Sequence, residues 1–155
     1  MIIFTLPDSI IAGITGTLLM TLFIRSIGVI TDYQFSVPRI LGTVLTFETS
    51  PSGQVSRRLP VFLLGTAAHY FIGLLFTLLY AWLVSNHILQ PGYQDGLLFG
   101  AGTGILGITI WYFTLRLHRH PPKLPIGLFL IAVFAGHLLF AMVIVGVLNQ
   151  LSTIF

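Results

Sequence analysis

The feature that most limits what this chain can fold into is residues 59–84, LPVFLLGTAAHYFIGLLFTLLYAWLV, an apolar run with no charged side chain and one histidine, His69, near its middle. About 20 apolar residues, each rising 1.5 Å along a helix, cross a hydrocarbon layer roughly 30 Å thick, and this run exceeds that. It reads as a membrane span. A polar side chain at that depth is costly against lipid, so His69 is expected to face other helices.

The rest of the chain has the same character. Of its 155 residues 55% are hydrophobic and only 7% charged, with a mean hydropathy of +0.99, too few polar side chains to cover a water-soluble globule. The stretches free of charge predict four spans, at about 9–30, 60–84, 96–115 and 125–148. The fold class is therefore all-α, a transmembrane four-helix bundle forming one domain over 1–155. The start MIIFTLPDSIIAG has no basic leader region and its apolar run continues past residue 24, which predicts a retained first span rather than a cleaved signal. Asp8 and Ser9, following Pro7, are the expected N-caps of that span. With no cysteine, disulfides, thiolate metal sites and cysteine nucleophiles are excluded.

Between the first two spans, Val37, Ile40, Leu41, Val44 and Leu45 recur at helical spacing, with Pro38 suited to a first turn. This predicts a short amphipathic helix at about 37–47, lying on the membrane surface or against the bundle. Residues 48–54 are turn chemistry, and residues 149–155 an uncharged tail. The formal charge of +3 rests on seven basic residues, Arg25, Arg39, Arg57, Arg58, Arg116, Arg119 and Lys123, all in or beside the loops after spans 1 and 3. They are topogenic and headgroup-contacting charges, not a nucleic-acid surface. By the positive-inside rule both loops are expected to be cytoplasmic and both termini outside.

Spans 1 and 3 share a texture: Thr15, Gly16, Leu18 and Thr21 align with Thr103, Gly104, Leu106 and Thr109. Leu-Pro precedes both span 2 and span 4. The pattern reads as an internal repeat of two parallel hairpins, related by an axis along the membrane normal. It puts two histidines in register. His69 follows Pro60 and His137 follows Pro125 at similar intervals, so both rings are expected roughly 13 to 18 Å inside their helices. Small residues surround them. Gly16, Gly65, Gly96, Gly100 and Gly104 are expected to let helices approach closely, the usual basis of association where lipid supplies no hydrophobic force.

Two imidazoles at one depth carry three readings, of which metal or proton handling is one. Each ring makes a structural hydrogen bond, to a backbone carbonyl or to Thr66, Thr77 or Thr103, worth about 1 kcal/mol or less. Or the pair ligates a cofactor: b-type haem, held by His69 and His137, with Gly73 and Gly136 making room and Phe71, Phe76, Phe134 and Phe140 lining its faces. Trp82 and Trp111 are expected as interface anchors and lipid-facing packing, and His118 and His120 as part of a headgroup-contacting basic loop. Asp8, Asp32, Glu48 and Asp95 all lie outside the spans, which argues against an ion-coupled transporter. With no phosphate loop, H-E-x-x-H or G-x-S-x-G motif, a non-enzymatic role is expected.

The string Ala68-His69-Tyr70-Phe71-Ile72-Gly73, with Phe76 and Tyr80, then Gly96-Leu-Leu-Phe-Gly100 and Gly136-His137-Leu-Leu-Phe140, resembles a group of uncharacterised four-span bacterial membrane proteins. In these a His-x-x-x-Gly motif marks spans 2 and 4; here Ala141 takes the second glycine's place. The resemblance implies the four-span architecture and no chemistry. A bundle this small is expected to work by lateral contact, as an accessory or assembly subunit of a larger respiratory or photosynthetic membrane complex, or as a homo-oligomer. Its partners are then the lipid bilayer and other membrane subunits or itself. Two alternatives stand beside this: a b-haem electron-transfer protein, and a lipid or small-hydrophobe carrier.

Overall fold

The structure, a computed structural model, describes residues 4–152. It holds five helices: α1 (Leu6–Ile30), α2 (Val37–Thr46), α3 (Leu59–Ser85), α4 (Tyr93–Leu117) and α5 (Ile126–Ser152). All but α2 are long and apolar enough to cross a bilayer, at 25 or 27 residues and mean hydropathies of 1.5 to 2.7. The chain is a membrane-type four-helix bundle. Large apolar side chains on its outside, such as Ile14 and Leu22 on α1, Phe71 and Leu75 on α3, and Leu98 and Ile105 on α4, are stable there because that surface meets lipid.

The helices begin and end where local chemistry dictates. α1 starts earlier than hydropathy suggests, and its N-cap is Thr5 rather than Asp8 or Ser9. Thr5 Oγ1 accepts from Asp8 N at 3.3 Å, and the Asp8 carboxylate accepts from Thr5 N at 2.9 Å, a capping box with Pro7 inside the first turn. Asp8 thus serves α1 from its first turn. α2 begins with Pro38 in its first turn and ends where Phe47 takes a left-handed conformation (φ 57°). α4 reaches back past Asp95, whose carboxylate accepts from Gln90 N in the preceding turn. α5 runs on through the expected tail as far as Ser152, and residues 153–155 of that tail lie outside the described residues.

α2 lies against the bundle. Its Val37, Ile40 and Val44 are buried, and it crosses α3 with backbone on backbone. A side chain at Gly65 would stand 2.5 Å from Gly42 N, so this crossing exists only because both positions lack a Cβ.

The spanning helices pack in the order α3, α1, α5, α4. α5 is the centre, with half of its most apolar window buried against 22% for α3. Glycines set the close crossings: Gly16 on α1 faces Phe140 and Ile144 of α5, and Gly96, Gly100 and Gly104 on α4 face Val145, Ala141 and Phe134 of α5. Among the described residues, α3 packs along its length on neither α4 nor α5. Two hairpins related by a closed two-fold would pair α3 with α4 as they pair α1 with α5. This bundle departs from that arrangement, and the departure leaves a cleft between α3 and α4. An aromatic pair, Tyr80 and Phe99 with centroids 5.3 Å apart, bridges it at one end.

At the other end lie the basic loops, joined to each other. Lys123 N donates to Gly53 O at 2.8 Å, Thr49 Oγ1 to His120 O at 2.6 Å, and the His118 ring stacks on Phe47 with Nε2 3.1 Å from Val44 O. Arg58 pairs with Glu48 at 2.9 Å, Arg39 lies over Phe62 and Arg116 over Tyr112, while Arg25, Arg57, Arg119 and Lys123 are exposed.

Candidate functional site

Midway along the cleft is a cavity of about 140 Å³ that receives both intramembrane histidines. α3 contributes His69, Ile72, Gly73 and Phe76; α5 contributes Val133, His137 and Phe140. α1 closes the back with Thr17 and Met20, and α4 forms the facing wall with Gly107, Ile110, Trp111 and Thr114. Val37 and Leu41 of α2 complete the end nearest the basic loops. Ile72 and Ile110, which line the cavity, are also 41% and 54% exposed, so the mouth opens sideways between α3 and α4 toward the lipid rather than toward either end. The lining contains no charged side chain.

Why the histidines sit here follows from the helix that each one rides on. On α3, Gly65, His69, Gly73 and Thr77 form a buried stripe at helical spacing, and the stripe faces α1 and α2. His69 Nε2 lies 2.9 Å from Thr21 Oγ1 on α1. The Thr21 hydroxyl also lies 2.7 Å from Thr17 O, and with its proton placed there the Nε2–H of His69 donates to Thr21 and Nδ1 carries the lone pair. His137 is bonded differently: its Nδ1–H donates to Val133 O at 2.8 Å, one turn back on α5. The uncharged ring then carries its lone pair on Nε2, which turns toward Gly107 of α4. A Cβ at Gly107 would stand 2.7 Å from His137 Cε1 and 3.1 Å from Nε2, so this glycine makes the space for the ring. The Phe76 ring meets His137 edge-on at 6.1 Å.

The third polar group is Thr17. Its side chain is 1% exposed, and Oγ1 is buried with no hydrogen-bond partner among the described residues. It occupies the position a Cβ of Gly73 would take. The wall therefore carries two imidazoles, the threonine Thr114, and apolar or aromatic surface elsewhere, while the Thr17 hydroxyl is packed against Gly73 behind it. A concave apolar site with a few convergent polar groups is the usual form of a small-molecule site.

Several expectations change. The partner of His69 is Thr21, while Thr66, Thr77 and Thr103 bond carbonyls of their own helices. Gly136 is not on the cavity; it faces Ile24 and Met20 where α5 crosses α1. Of the four phenylalanines, Phe76 and Phe140 line the cavity, whereas Phe134 covers Gly104 and Phe71 is 61% exposed. Trp111 is cavity wall rather than an interface anchor, held edge-to-face on buried Phe129 at 5.2 Å; Trp82 is exposed. Gly107, Trp111 and Thr114 continue the Gly96, Gly100, Gly104 stripe at alternating three- and four-residue steps, and extending that stripe would have found them. Thr17 and Thr21 carry no such signal, because a lone threonine in a span bonds its own helix as readily as a neighbour.

No family model, curated protein or solved structure matches this chain. The geometry of the cleft therefore carries the functional argument by itself.

Proposed function

We propose that this is a non-enzymatic integral-membrane binding protein, whose cleft takes up a small uncharged molecule from the bilayer between α3 and α4. The carrying observation is the cavity of about 140 Å³, open to lipid at Ile72 and Ile110 and furnished with His69 and His137. An engineered apolar cavity of about 150 Å³ accepts benzene, so the space here suits one six-membered ring or a short acyl segment. A tetrapyrrole is several times larger than that, which favours the small-hydrophobe reading over bis-histidine haem. The subunit role expected from the size of the bundle has no comparable feature behind it. The basic loops give the orientation: in a bacterial inner membrane they face the cytoplasm, with both chain ends outside.

Trp111 supplies the test. In a Trp82→Phe background it is the sole tryptophan, since the chain has two. Reconstituted in nanodiscs, that variant should show saturable quenching of its fluorescence by 4-bromotoluene, above the linear partitioning into lipid. Gly107→Leu, whose side chain would fill the space now held open beside His137, should abolish the saturable part. Linear quenching alone in the unfilled protein would reject the reading.

A further inference from the structure

The cleft also states what kind of molecule it takes. Taking as given that it is a binding site for a bilayer-borne molecule, we infer that its ligand is an uncharged ring bearing two hydroxyl donors, a hydroquinone, held by its O–H groups on His69 Nδ1 and His137 Nε2.

The two imidazoles fix the polarity of the site. Each has its ring N–H committed inside the protein, to Thr21 Oγ1 on one side and to Val133 O on the other. While Thr21 donates to Thr17 O and His137 donates to Val133 O, neither ring is a donor toward the cavity. What each offers is a lone pair, and among the described residues no hydrogen bond takes up His69 Nδ1 or His137 Nε2. A ligand that presents only acceptors, such as a ketone, an ether or a quinone, would set lone pair against lone pair in a place without water. A ligand with O–H donors satisfies both rings. Such selection is strong when buried polar groups would otherwise go unpaired.

Further observations narrow the class. The lining has no carboxylate, lysine or arginine, which disfavours an ammonium, carboxylate or phosphate, whose charge would be buried without a fixed counter-charge. The volume admits one ring, and the faces offered by Phe76, Trp111 and Phe140 are aromatic. The mouth faces lipid, so a tail attached to the ring has a way out between Ile72 and Ile110. Two acceptors, one on α3 and one on α5, ask for two donors, which a hydroquinone has and a monophenol lacks.

The test compares three probes of nearly one shape: methylhydroquinone, its dimethyl ether and methylbenzoquinone. Binding to the whole protein in nanodiscs is measured by anaerobic equilibrium dialysis against protein-free nanodiscs, which removes partitioning into lipid. The absence of cysteine removes thiol addition to the quinone. Methylhydroquinone should bind roughly 10-fold or more tightly than either of the others, as two hydrogen bonds of about 1 kcal/mol each imply. His137→Phe, which keeps a ring in place and leaves only the His69 acceptor, should cut the preference for methylhydroquinone over the ether several-fold and leave the ether unchanged. If all three probes bind alike, or the quinone binds best, the hydroquinone assignment is wrong while the cleft stands as a binding site. If none is retained above the lipid blank, the binding role itself falls. The comparison among probes uses the unaltered protein, so the outcome does not depend on how the variant folds.

Discussion

At the scale of single residues, the site is arranged by hydrogen bonds that cross between helices. Thr17 and Thr21 act together on α1. With the Thr21 proton on the backbone oxygen of Thr17, His69 is the donor to Thr21, and its tautomer follows. The side chain of Thr17 stands in the space where Gly73 lacks a Cβ. That predicts an inverted sign for a familiar substitution. Gly→Ala inside a helix ordinarily stabilises by about 1 kcal/mol; Gly73→Ala should instead destabilise the bundle by about 1–3 kcal/mol, because the new methyl meets the Thr17 hydroxyl. Thr17→Ala added to it should recover most of the loss, a coupling readable by unfolding in mixed micelles. Additive effects of the two changes would contradict this contact. His69 was recognisable in the sequence as a residue that must face protein. Its partner was not, since Thr21 lies 48 residues away and carries the same local pattern as any span threonine.

At the scale of elements, what was legible divides along the same line between local pattern and packing. The four spans and α2 could be read from apolar run length and period, because both are properties of one segment. Helix ends were read less well: α1 begins with a capping box between Thr5 and Asp8, and Asp8 serves it from inside the first turn instead of before it. How α2 is held came from packing. It is fixed by Gly42 and Gly65 facing each other and by Thr43, whose hydroxyl accepts from Ser56 N at 2.9 Å. Gly65→Leu should therefore lift α2 from α3. Backbone amides of α2 should lose hydrogen-exchange protection while those of α5 keep theirs; equal loss in both helices would mean that α2 is no separate unit. Because Val37 and Leu41 finish the cavity at the basic end, the same change should also weaken retention of a bound ring.

At the scale of the whole molecule, the decisive property is the packing order. Two parallel hairpins with matched histidines suggested a symmetric pair, and the histidines do share one cavity. Yet α1 and α5 pack closely while α3 and α4 stand apart, so the void lies to one side and opens to lipid. Nothing in the local texture of the spans distinguishes a closed four-helix ring from this open one. The distinction rests on which helix faces carry glycine and which carry bulky groups, and it appears only when all four are assembled. The cleft is the central claim, and photolabelling with an apolar aryl diazirine of single-ring size tests it most directly. Irradiated with the protein in nanodiscs, the probe should label Trp111 and Phe140, and excess toluene should suppress that labelling while leaving lipid-facing Leu98 and Phe113 labelled as before. Labelling confined to outward residues such as Leu98 and Phe113, or labelling at Trp111 that toluene does not compete away, would contradict it.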